Sequence, residues 1–241
     1  MGKNYFGYQI QPREISVQEV LETSLSTLLR EKISITGAGR TDTGVHAKKI
    51  FAHFDVAERI PSDLVRRLNR FLPKDIGVER LFEVQPSAHA RFDATYRTYQ
   101  YHVSLVKDPF SIDTAYSYYT RELDVEKMNQ AAEIICEYKE FESFAKVGGD
   151  NKTFVCQIYK AKWEQIDEQL IFTISANRFL RNMVRAIVGT LLEVGVGKIK
   201  PEEVREIIDS KNRNKAGTSA PAHGLYLVDV GYEWESILKK D

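Results

Sequence analysis

The spacing of apolar residues predicts helices at several places along the chain. Ser16 and Glu19 form a capping box ahead of valines and leucines at helical spacing, so a first helix begins near residue 16. A second helix is predicted between Pro61 and Pro73, because proline cannot continue a helix. Asp124 is suited to cap a third helix that runs to about Tyr138.

Two further helices are predicted in the last third of the chain. An apolar pattern from Arg178 to Val194 ends at Gly195, a natural carboxyl-terminal cap, and Pro201 opens a short helix to about Ile208. Runs of β-branched, aromatic or alternating residues predict the strands. These runs cover residues 33–35, 50–56, 77–84, 94–106, 154–165, 170–176 and 225–232.

The order of these elements predicts the fold class. It reads αββαβ and then βαββααβ, and one more strand before the first helix makes each half a βαββαβ unit. We therefore predict an α+β protein of two ferredoxin-like (split βαβ) subdomains, residues 1–86 and 87–241. The two subdomains are expected to join into one mainly antiparallel sheet, with helices on one face and a central cleft on the other.

Composition narrows the class of protein. The chain has 241 residues, 43% of them apolar and 28% charged, as in an ordinary soluble globular protein. The net charge is zero, which argues against a polybasic tail but allows local basic patches. The most apolar stretch, 183–196, is interrupted by Arg185 and Glu193 and is too short to span a bilayer. We expect a cytoplasmic protein that does not insert into membranes.

The two cysteines and the histidines do not indicate a metal site or a disulfide scaffold. Cys136 and Cys156 have apolar or aromatic neighbours, as buried free thiols do in a reducing compartment. The sequence has no Cys-x-x-Cys and no His-Glu-x-x-His spacing. We therefore expect neither a metal nor a cofactor.

The segment from Gly37 to Ala47 is the strongest candidate for chemistry. Three glycines surround one base, Arg40, and one acid, Asp42, between two apolar stretches. Glycines allow a tight turn and a close approach to a ligand, so this loop is a plausible place for catalysis. A glycine-rich hairpin whose aspartate caps a turn explains the same residues equally well.

Two later segments combine aromatic side chains or apolar surroundings with arginine. In a strand, Tyr99 and Tyr101 share a face with Arg97, which suits base stacking beside a phosphate, although tyrosine-rich strands are also common in cores. Arg178, Arg181 and Arg185 follow at helical spacing and are expected on one stripe. Because Arg185 falls in the apolar part of that helix, it needs a partner, usually a carboxylate.

In order along the chain, four segments resemble motifs of the TruA family of tRNA pseudouridine synthases, and the resemblance covers nearly the whole sequence. The active-site loop of that family resembles Gly39-Arg40-Thr41-Asp42-Thr43-Gly44-Val45-His46. Its amino-terminal motif resembles Tyr5-Phe6-Gly7-Tyr8-Gln9. Its arginine helix resembles residues 179–189, and its strand entry resembles His223-Gly224-Leu225-Tyr226-Leu227, with His223 where the family commonly has glutamate.

The resemblance implies a role for each matching residue. Asp42 is implied to be the catalytic aspartate, paired with Arg185, while Arg40 holds the target nucleotide out of the RNA helix. Tyr99 is implied to stack on the target base, and Leu225 to pack against the uracil ring. Further tRNA contacts are expected from His46, Lys48, Lys49, Arg91, Arg97, Arg178 and Arg181, with Lys211, Arg213 and Lys215 as outer contacts.

The resemblance also implies the setting of the reaction. The family works without metal or cofactor, as a homodimer whose two subunits both contact one tRNA, bound in the central cleft. Its bacterial members modify uridines thirty-eight, thirty-nine and forty in the anticodon arm. The family begins with a strand before the Phe-x-Gly motif, whereas Met1 to Asn4 are all that precede Tyr5 here. We therefore expect the first strand to be truncated, leaving unpaired backbone.

Two other classes of function remain open from the residues. An RNA-binding protein without catalysis uses the same sheet and basic helix, but has no need of a buried acid–arginine pair. A metal-dependent hydrolase would use Asp42, His46 and His53, although their spacing matches no recognised ligand pattern.

Overall fold

The computed structural model describes residues 1–57, 59–149 and 151–239. The chain divides into two compact units, Met1–Thr95 with Val230–Asp241, and Tyr96–Asp229. The helices are α1 (Val17–Leu29), α2 (Leu64–Phe71), α3 (Val125–Glu137), α4 (Met183–Gly195), α5 (Glu203–Asp209) and α6 (Trp234–Ile237). The strands are β1 (Thr36–Gly37), β2 (His46–Ala47), β3 (Ala52–His53), β4 (Ala94–Ser104), β5 (Tyr116–Ser117), β6 (Ile158–Ile166), β7 (Gln169–Ala176) and β8 (Leu225–Tyr232).

The first unit is built around the packing of α1 and α2. Ser16 caps α1, because its side chain accepts a hydrogen bond from the Glu19 backbone N–H at 3.2 Å, as the sequence predicts. Strands β1 and β3 pair antiparallel beside the helices. The core of this unit consists of apolar side chains from α1, α2 and the segments around them: Tyr8, Leu25, Ile33, Ile35, Leu64, Leu68 and Leu72.

The second unit contains a mainly antiparallel sheet, as predicted. Its strands lie in the order β8-β4-β7-β6, with β5 added parallel to β4. Along the chain, the principal elements run β4-α3-β6-β7-α4-β8. Helix α3 packs against β6 and α4 packs against α3, so the helices bury aromatic and aliphatic side chains such as Trp163, Phe172 and Ile174. Asp124 caps α3 through the Lys127 N–H at 3.0 Å, as expected.

The strands predicted at 33–35 and 50–56 differ from the short strands of the first unit. Strand β1 begins at Thr36, after the predicted range, and β3 covers only Ala52–His53 of residues 50–56. Ile33 and Ile35 are buried, but helix side chains take the place of a strand partner. The Ile35 N–H donates to Glu22 Oε1 at 2.8 Å, and the Ile33 N–H donates to Ser26 Oγ at 2.9 Å. The apolar alternation therefore indicates burial of the two isoleucines, but their backbone N–H groups bond to side chains of α1 and not to a neighbouring strand.

The strand predicted at 77–84 is wrong for a similar reason. The side-chain amide of Asn69 on α2 binds both backbone groups of Val78, each at 2.7 Å. Val84 makes an isolated bridge with Leu238 in place of a longer ladder. A neighbouring helix thus supplies the hydrogen bonds that the sequence alone assigns to a sheet.

The arginine helix begins later than predicted. Asn182 adopts a left-handed backbone conformation with φ of 67°, and α4 begins at Met183. Arg178 and Arg181 therefore precede the helix, and the predicted stripe of three arginines on one helix face is wrong. The predicted last strand, 225–232, agrees with β8.

The amino-terminal segment has no strand before α1 within residues 1–16, all of which the structure describes. An isolated bridge joins Gln11 to Glu14. Among the helices in the described parts of the chain, none combines the length and apolar character needed to cross a bilayer.

Candidate active site

The Asp42 loop is a tight turn between β1 and β2. The Ala38 N–H donates to the Phe51 carbonyl oxygen at 2.8 Å, which fixes the start of the loop against β3. The Val45 N–H donates to the Asp42 carbonyl oxygen at 3.1 Å, and Gly44 has a φ of 78°. These contacts close the turn around a half-buried Asp42.

The amino-terminal segment packs directly against this turn. Gly7 has a φ of 83°, and a Cβ there would lie 2.2 Å from the Thr41 carbonyl oxygen. The Gly44 N–H donates to the Tyr5 carbonyl oxygen at 3.3 Å. A Cβ on Gly2 would lie 1.9 Å from the Val45 carbonyl oxygen. The two segments thus approach each other at distances that admit glycine alone.

His46 links the loop to the amino terminus. It is 1% exposed, and its Nδ1 accepts a hydrogen bond from the Gly2 N–H at 2.9 Å. Tyr5 anchors the same segment, since its hydroxyl donates to Asp75 at 2.7 Å. Burial, followed by this bond to Asp75, raises the pKa of Tyr5 to about 12, so the hydroxyl stays protonated at neutral pH. The Asp42 turn therefore rests on a fixed support.

Cationic side chains of the first unit lie at its surface. Arg40, Lys48, Lys49 and Arg91 are all exposed. The Lys49 ammonium lies 5.4 Å from the centre of the Phe51 ring, a cation–π contact. These predicted RNA contacts are accessible to a polyanion.

In the second unit, Tyr99 lies where the covered face of the sheet becomes accessible. It pairs with Ile174, two residues along β4 from the fully buried pair of Tyr101 and Phe172, yet Tyr99 itself is half-buried. The ring of Phe179 meets the Tyr99 ring edge-on with centroids 5.2 Å apart. Phe179 therefore limits the orientation of the tyrosine ring.

Arg185 is bound to the segment that precedes β8. Its Nε donates to the Ala220 carbonyl oxygen at 2.7 Å, and the Ala220 N–H donates to the Arg185 carbonyl oxygen at 2.9 Å. Gly189, one turn further along α4, allows this close approach, because a Cβ there would lie 1.8 Å from the Thr218 carbonyl oxygen. The half-buried guanidinium is thereby held in one orientation.

Burial is the largest cause of the pKa shifts of two residues close to Arg185, His223 and Tyr101. Burial lowers the pKa of His223, and the positive charge of Arg185 lowers it further. A hydrogen bond with the Ala115 backbone and the negative charge of Asp113 oppose this shift. Burial also shifts the pKa of Tyr101, in this case upward, and the Arg185 charge opposes that shift. The Tyr101 hydroxyl donates to the Pro221 carbonyl oxygen at 2.8 Å. Leu225, at the start of β8, is 5% exposed.

The remaining predicted arginine contacts differ in accessibility. Arg181 is exposed and Arg178 is half-buried near Cys156. Burial raises the pKa of the Cys156 thiol to about 11, with Arg178 opposing the shift. Arg97 donates to the Asn177 carbonyl oxygen at 3.0 Å, so it also supports the segment that carries Arg178.

Two of the predicted outer contacts have structural partners. Arg213 donates to the carbonyl oxygens of Ala216 and Gly217 at 3.3 and 3.0 Å, and to Ser219 Oγ at 2.8 Å. Lys211 forms an ion pair with Glu140 at 2.6 Å. Arg213 therefore shapes the segment that binds Arg185, a role that the sequence analysis missed because the partners are backbone oxygens.

The hydrolase alternative would use His46 and His53 as ligands. The Nδ1 of His46 accepts the Gly2 N–H, and the Nδ1 of His53 accepts the Ala90 N–H at 3.1 Å. Across residues 1–57, 59–149 and 151–239, no group of three or more His, Cys, Asp or Glu side chains is arranged to hold a metal ion.

The segments that carry the Asp42 loop, Arg185 and Leu225 all match one protein family. A family model described as tRNA pseudouridine synthase matches residues 1–93 and 138–233. The chain belongs to this family. The match includes Asp42 in the first unit, and Arg185 and Leu225 in the second.

Relatives named tRNA pseudouridine synthase A match almost the full length of the chain. The protein of Parabacteroides distasonis is 52% identical over 97% of this chain and 93% of its own length. That of Bacteroides fragilis is 52% identical over 97% and 94% of the two chains. The more distant protein of Bacillus pumilus is 39% identical over 96% of both chains.

Proposed function

We propose that this chain isomerises uridine to pseudouridine in tRNA, with Asp42 as the catalytic residue. The observation that carries the proposal is the Asp42 turn, which the backbone of residues 2–7 supports through contacts that require glycine. The chain belongs to the tRNA pseudouridine synthases, and relatives of that name cover nearly all of it. A turn whose backbone is held in this way, in a chain of this family, supports catalysis over a purely structural turn.

The reaction rearranges one nucleotide without a net change in composition. The C1′–N1 glycosidic bond breaks, the uracil turns, and a new bond forms between C1′ and C5 while the C5 proton is lost and N1 gains a proton. The target base must first leave the stack, which costs a few kcal/mol, less in a loop than in a duplex. Asp42 acts as a carboxylate, whether it attacks the sugar or removes a proton from it.

The other proposed roles follow the accessibility of each side chain. Arg40, exposed beside the loop, takes the space that the flipped base leaves, and Tyr99 stacks on that base. Leu225 packs against the uracil, and the pairing of Arg185 with Asp42 stays a prediction. The proposed phosphate contacts are Lys48, Lys49, Arg91, Arg97, Arg178 and Arg181. Because His46 is 1% exposed and binds Gly2, we assign it the support of the loop.

The finer structural and cellular statements belong to the same proposal. The order β4-α3-β6-β7-α4-β8, with strands in the order β8-β4-β7-β6, supports a split βαβ unit in the second half of the chain. A matching unit in the first half, the boundary near residue 86 and the central RNA-binding cleft stay predictions. So do the homodimer, the cytoplasmic location and the choice of uridines thirty-eight to forty.

The direct test is to incubate the purified chain with an unmodified tRNA transcript and to map pseudouridine along the RNA. We expect pseudouridine at one or more uridines of the anticodon arm. A transcript whose uridines thirty-eight to forty are replaced by cytidine is the matched control and should gain none in that arm. Binding of tRNA without any pseudouridine would favour the non-catalytic RNA-binding protein and contradict the proposal.

A further inference from the structure

The segment 216–220 lies along the amino-terminal half of α4 and is bound to it at several points. The Gly217 N–H donates to Thr190 Oγ1 at 2.9 Å. Ala220 exchanges two hydrogen bonds with Arg185, from its N–H at 2.9 Å and to its carbonyl oxygen at 2.7 Å. A Cβ on Gly217 would lie 2.8 Å from the Thr190 N atom, so the segment lies against the helix backbone. The orientation of the Arg185 side chain therefore depends on where this segment lies.

The hydroxyl of Ser219 ties this segment to the start of α4. Its Oγ accepts one hydrogen bond from Asn182 Nδ2 at 2.6 Å and another from the Arg213 guanidinium at 2.8 Å. Asn182 directly precedes α4 and lies three residues before Arg185. Ser219 directly precedes Ala220. The Ser219 bonds thus hold the segment about one helical turn before the contact between Ala220 and Arg185.

The Arg213 side chain is committed to the same segment. It begins a short 3-10 turn, Arg213–Lys215, and is half-buried. One terminal nitrogen donates to the carbonyl oxygens of Ala216 and Gly217 at 3.3 and 3.0 Å, and the other donates to Ser219. Three of the five N–H groups of the guanidinium therefore bind within the protein. This geometry suits a side chain that shapes the segment better than it suits an outer contact with tRNA phosphates.

We propose that Arg213 and Ser219 are positioning residues for Arg185, an inference that rests on the proposed function. Arg213 holds the segment by its backbone carbonyl oxygens, and Ser219 ties it to Asn182. The segment in turn presents the Ala220 carbonyl oxygen to Nε of Arg185. Arg213 and Ser219 act on the reaction through the orientation of this guanidinium and not through a contact with the tRNA.

The proposal predicts which kinetic constant changes. Displacing a group that is positioned for a reaction by about 1 Å can lower the rate about a hundredfold. Loss of a phosphate contact instead weakens binding and reduces the dependence of affinity on salt. A positioning role of Arg213 therefore lowers kcat, whereas an outer tRNA contact raises KM.

The first experiment measures kcat, KM and the salt dependence of tRNA binding for Arg213→Ala and Arg213→Lys. We expect kcat to fall about tenfold or more in both variants with KM within about twofold of the wild-type value, because lysine keeps the charge but not the planar fork. The slope of log K against log salt should stay at the wild-type value. Arg205→Ala removes an exposed guanidinium with two bonds to Glu137 and is the matched control, with unchanged kcat. Wild-type kcat in both Arg213 variants, or a reduced salt slope, would overturn the proposal.

A smaller change at Ser219 tests the same connection with less risk to the fold. Ser219→Ala removes the acceptor shared by Asn182 and Arg213 and should lower kcat about fivefold, whereas Ser219→Thr keeps a hydroxyl and should restore most of the rate. Ser210→Ala, which removes a hydroxyl bonded to the Ile207 carbonyl oxygen, is the matched control. Wild-type kcat in Ser219→Ala would overturn the role of Ser219.

A measurement on Arg185 itself separates positioning from lost stability and from the proposed function. The Nε–H that donates to Ala220 should exchange slowly with water, and its NMR signal is identified by its loss in Arg185→Lys. We expect Arg213→Ala and Ser219→Ala to speed this exchange about tenfold at temperatures well below their unfolding midpoints. Wild-type exchange in both variants would overturn the proposal. No tRNA is present, so a wild-type protein that forms no pseudouridine refutes the proposed function, while the exchange rates still test whether Arg213 and Ser219 hold Arg185.

Discussion

The α-carbon of Gly7 passes so close to Thr41 that a methyl group on it would lie 2.2 Å from the Thr41 carbonyl oxygen. Gly7 also has a φ of 83°, a conformation that residues with a side chain rarely adopt. Thr41 immediately precedes Asp42, so this contact fixes the backbone from which the Asp42 carboxylate projects. The amino-terminal motif and the aspartate loop are one structural unit.

Replacing Gly7 with alanine should therefore lower both stability and activity. We expect the free energy of unfolding to fall by about 2 to 4 kcal/mol, because the strained φ and the clash with Thr41 add together. Gly197→Ala is the control, since Gly197 has a φ of 73° but a Cβ there meets nothing within 4 Å. It should cost about 1 kcal/mol in urea unfolding. Equal costs for the two variants would contradict the close contact.

Arg185→Lys keeps the positive charge of the side chain but should still reduce the rate of pseudouridine formation. Lysine cannot reproduce the 2.7 Å bond from Nε to the Ala220 carbonyl oxygen while also presenting a planar pair of donors. We expect kcat to fall at least tenfold with a cooperative unfolding transition retained. Arg205→Lys removes a surface bidentate pair with Glu137 and should leave kcat unchanged. Wild-type kcat in Arg185→Lys would exclude a positioned guanidinium.

The protonation of His223 should make the free energy of unfolding depend on pH. Burial, with help from the Arg185 charge, lowers the pKa of His223 in the folded protein below its ordinary value of 6.5. The neutral ring thus stabilises the fold above about pH 6.5, and this contribution is lost as the pH falls through the folded pKa. We expect wild-type protein to lose more unfolding free energy between pH 8 and pH 5 than His223→Gln does. Parallel pH profiles for the two proteins would contradict this assignment.

The affinity for tRNA should fall steeply as salt is added. Each lysine that neutralises a phosphate contributes a slope of about 0.7 to 0.9 in log K against log salt. Lys48→Ala and Lys49→Ala should each reduce the slope by about that amount. Lys198→Ala, which removes a surface pair with Glu193, should leave it unchanged. If both lysine variants kept the wild-type dependence of log K on log salt, Lys48 and Lys49 would not contact the phosphates of the tRNA.

The sequence predicts helices and long strands better than it predicts the irregular first unit. The caps at Ser16 and Asp124 and the strand 225–232 are local signals, and the structure contains each of them. Apolar pairs such as Ile33 and Ile35 report burial but not the partner of their backbone. That partner is the side chain of Glu22 or Ser26 on α1, which a local pattern cannot reveal.

The site follows the same distinction. Resemblance in the loop and the arginine helix indicates the family, which the comparison confirms. The supporting contacts depend on segments far apart in sequence, such as Gly7 with Thr41 and Arg213 with the backbone near Gly217. The late start of α4 depends on the left-handed Asn182, which interrupts an otherwise helical pattern.

The most direct measurement is tritium release from tRNA that carries uridine tritiated at C5, because this tritium reaches water when C5 bonds to C1′. Wild-type protein and Asp42→Asn would be compared in release and in tRNA affinity. The account predicts release by the wild-type protein, none above background by Asp42→Asn, and tRNA binding by both. Release by Asp42→Asn at a rate near that of the wild type would contradict the catalytic role of Asp42.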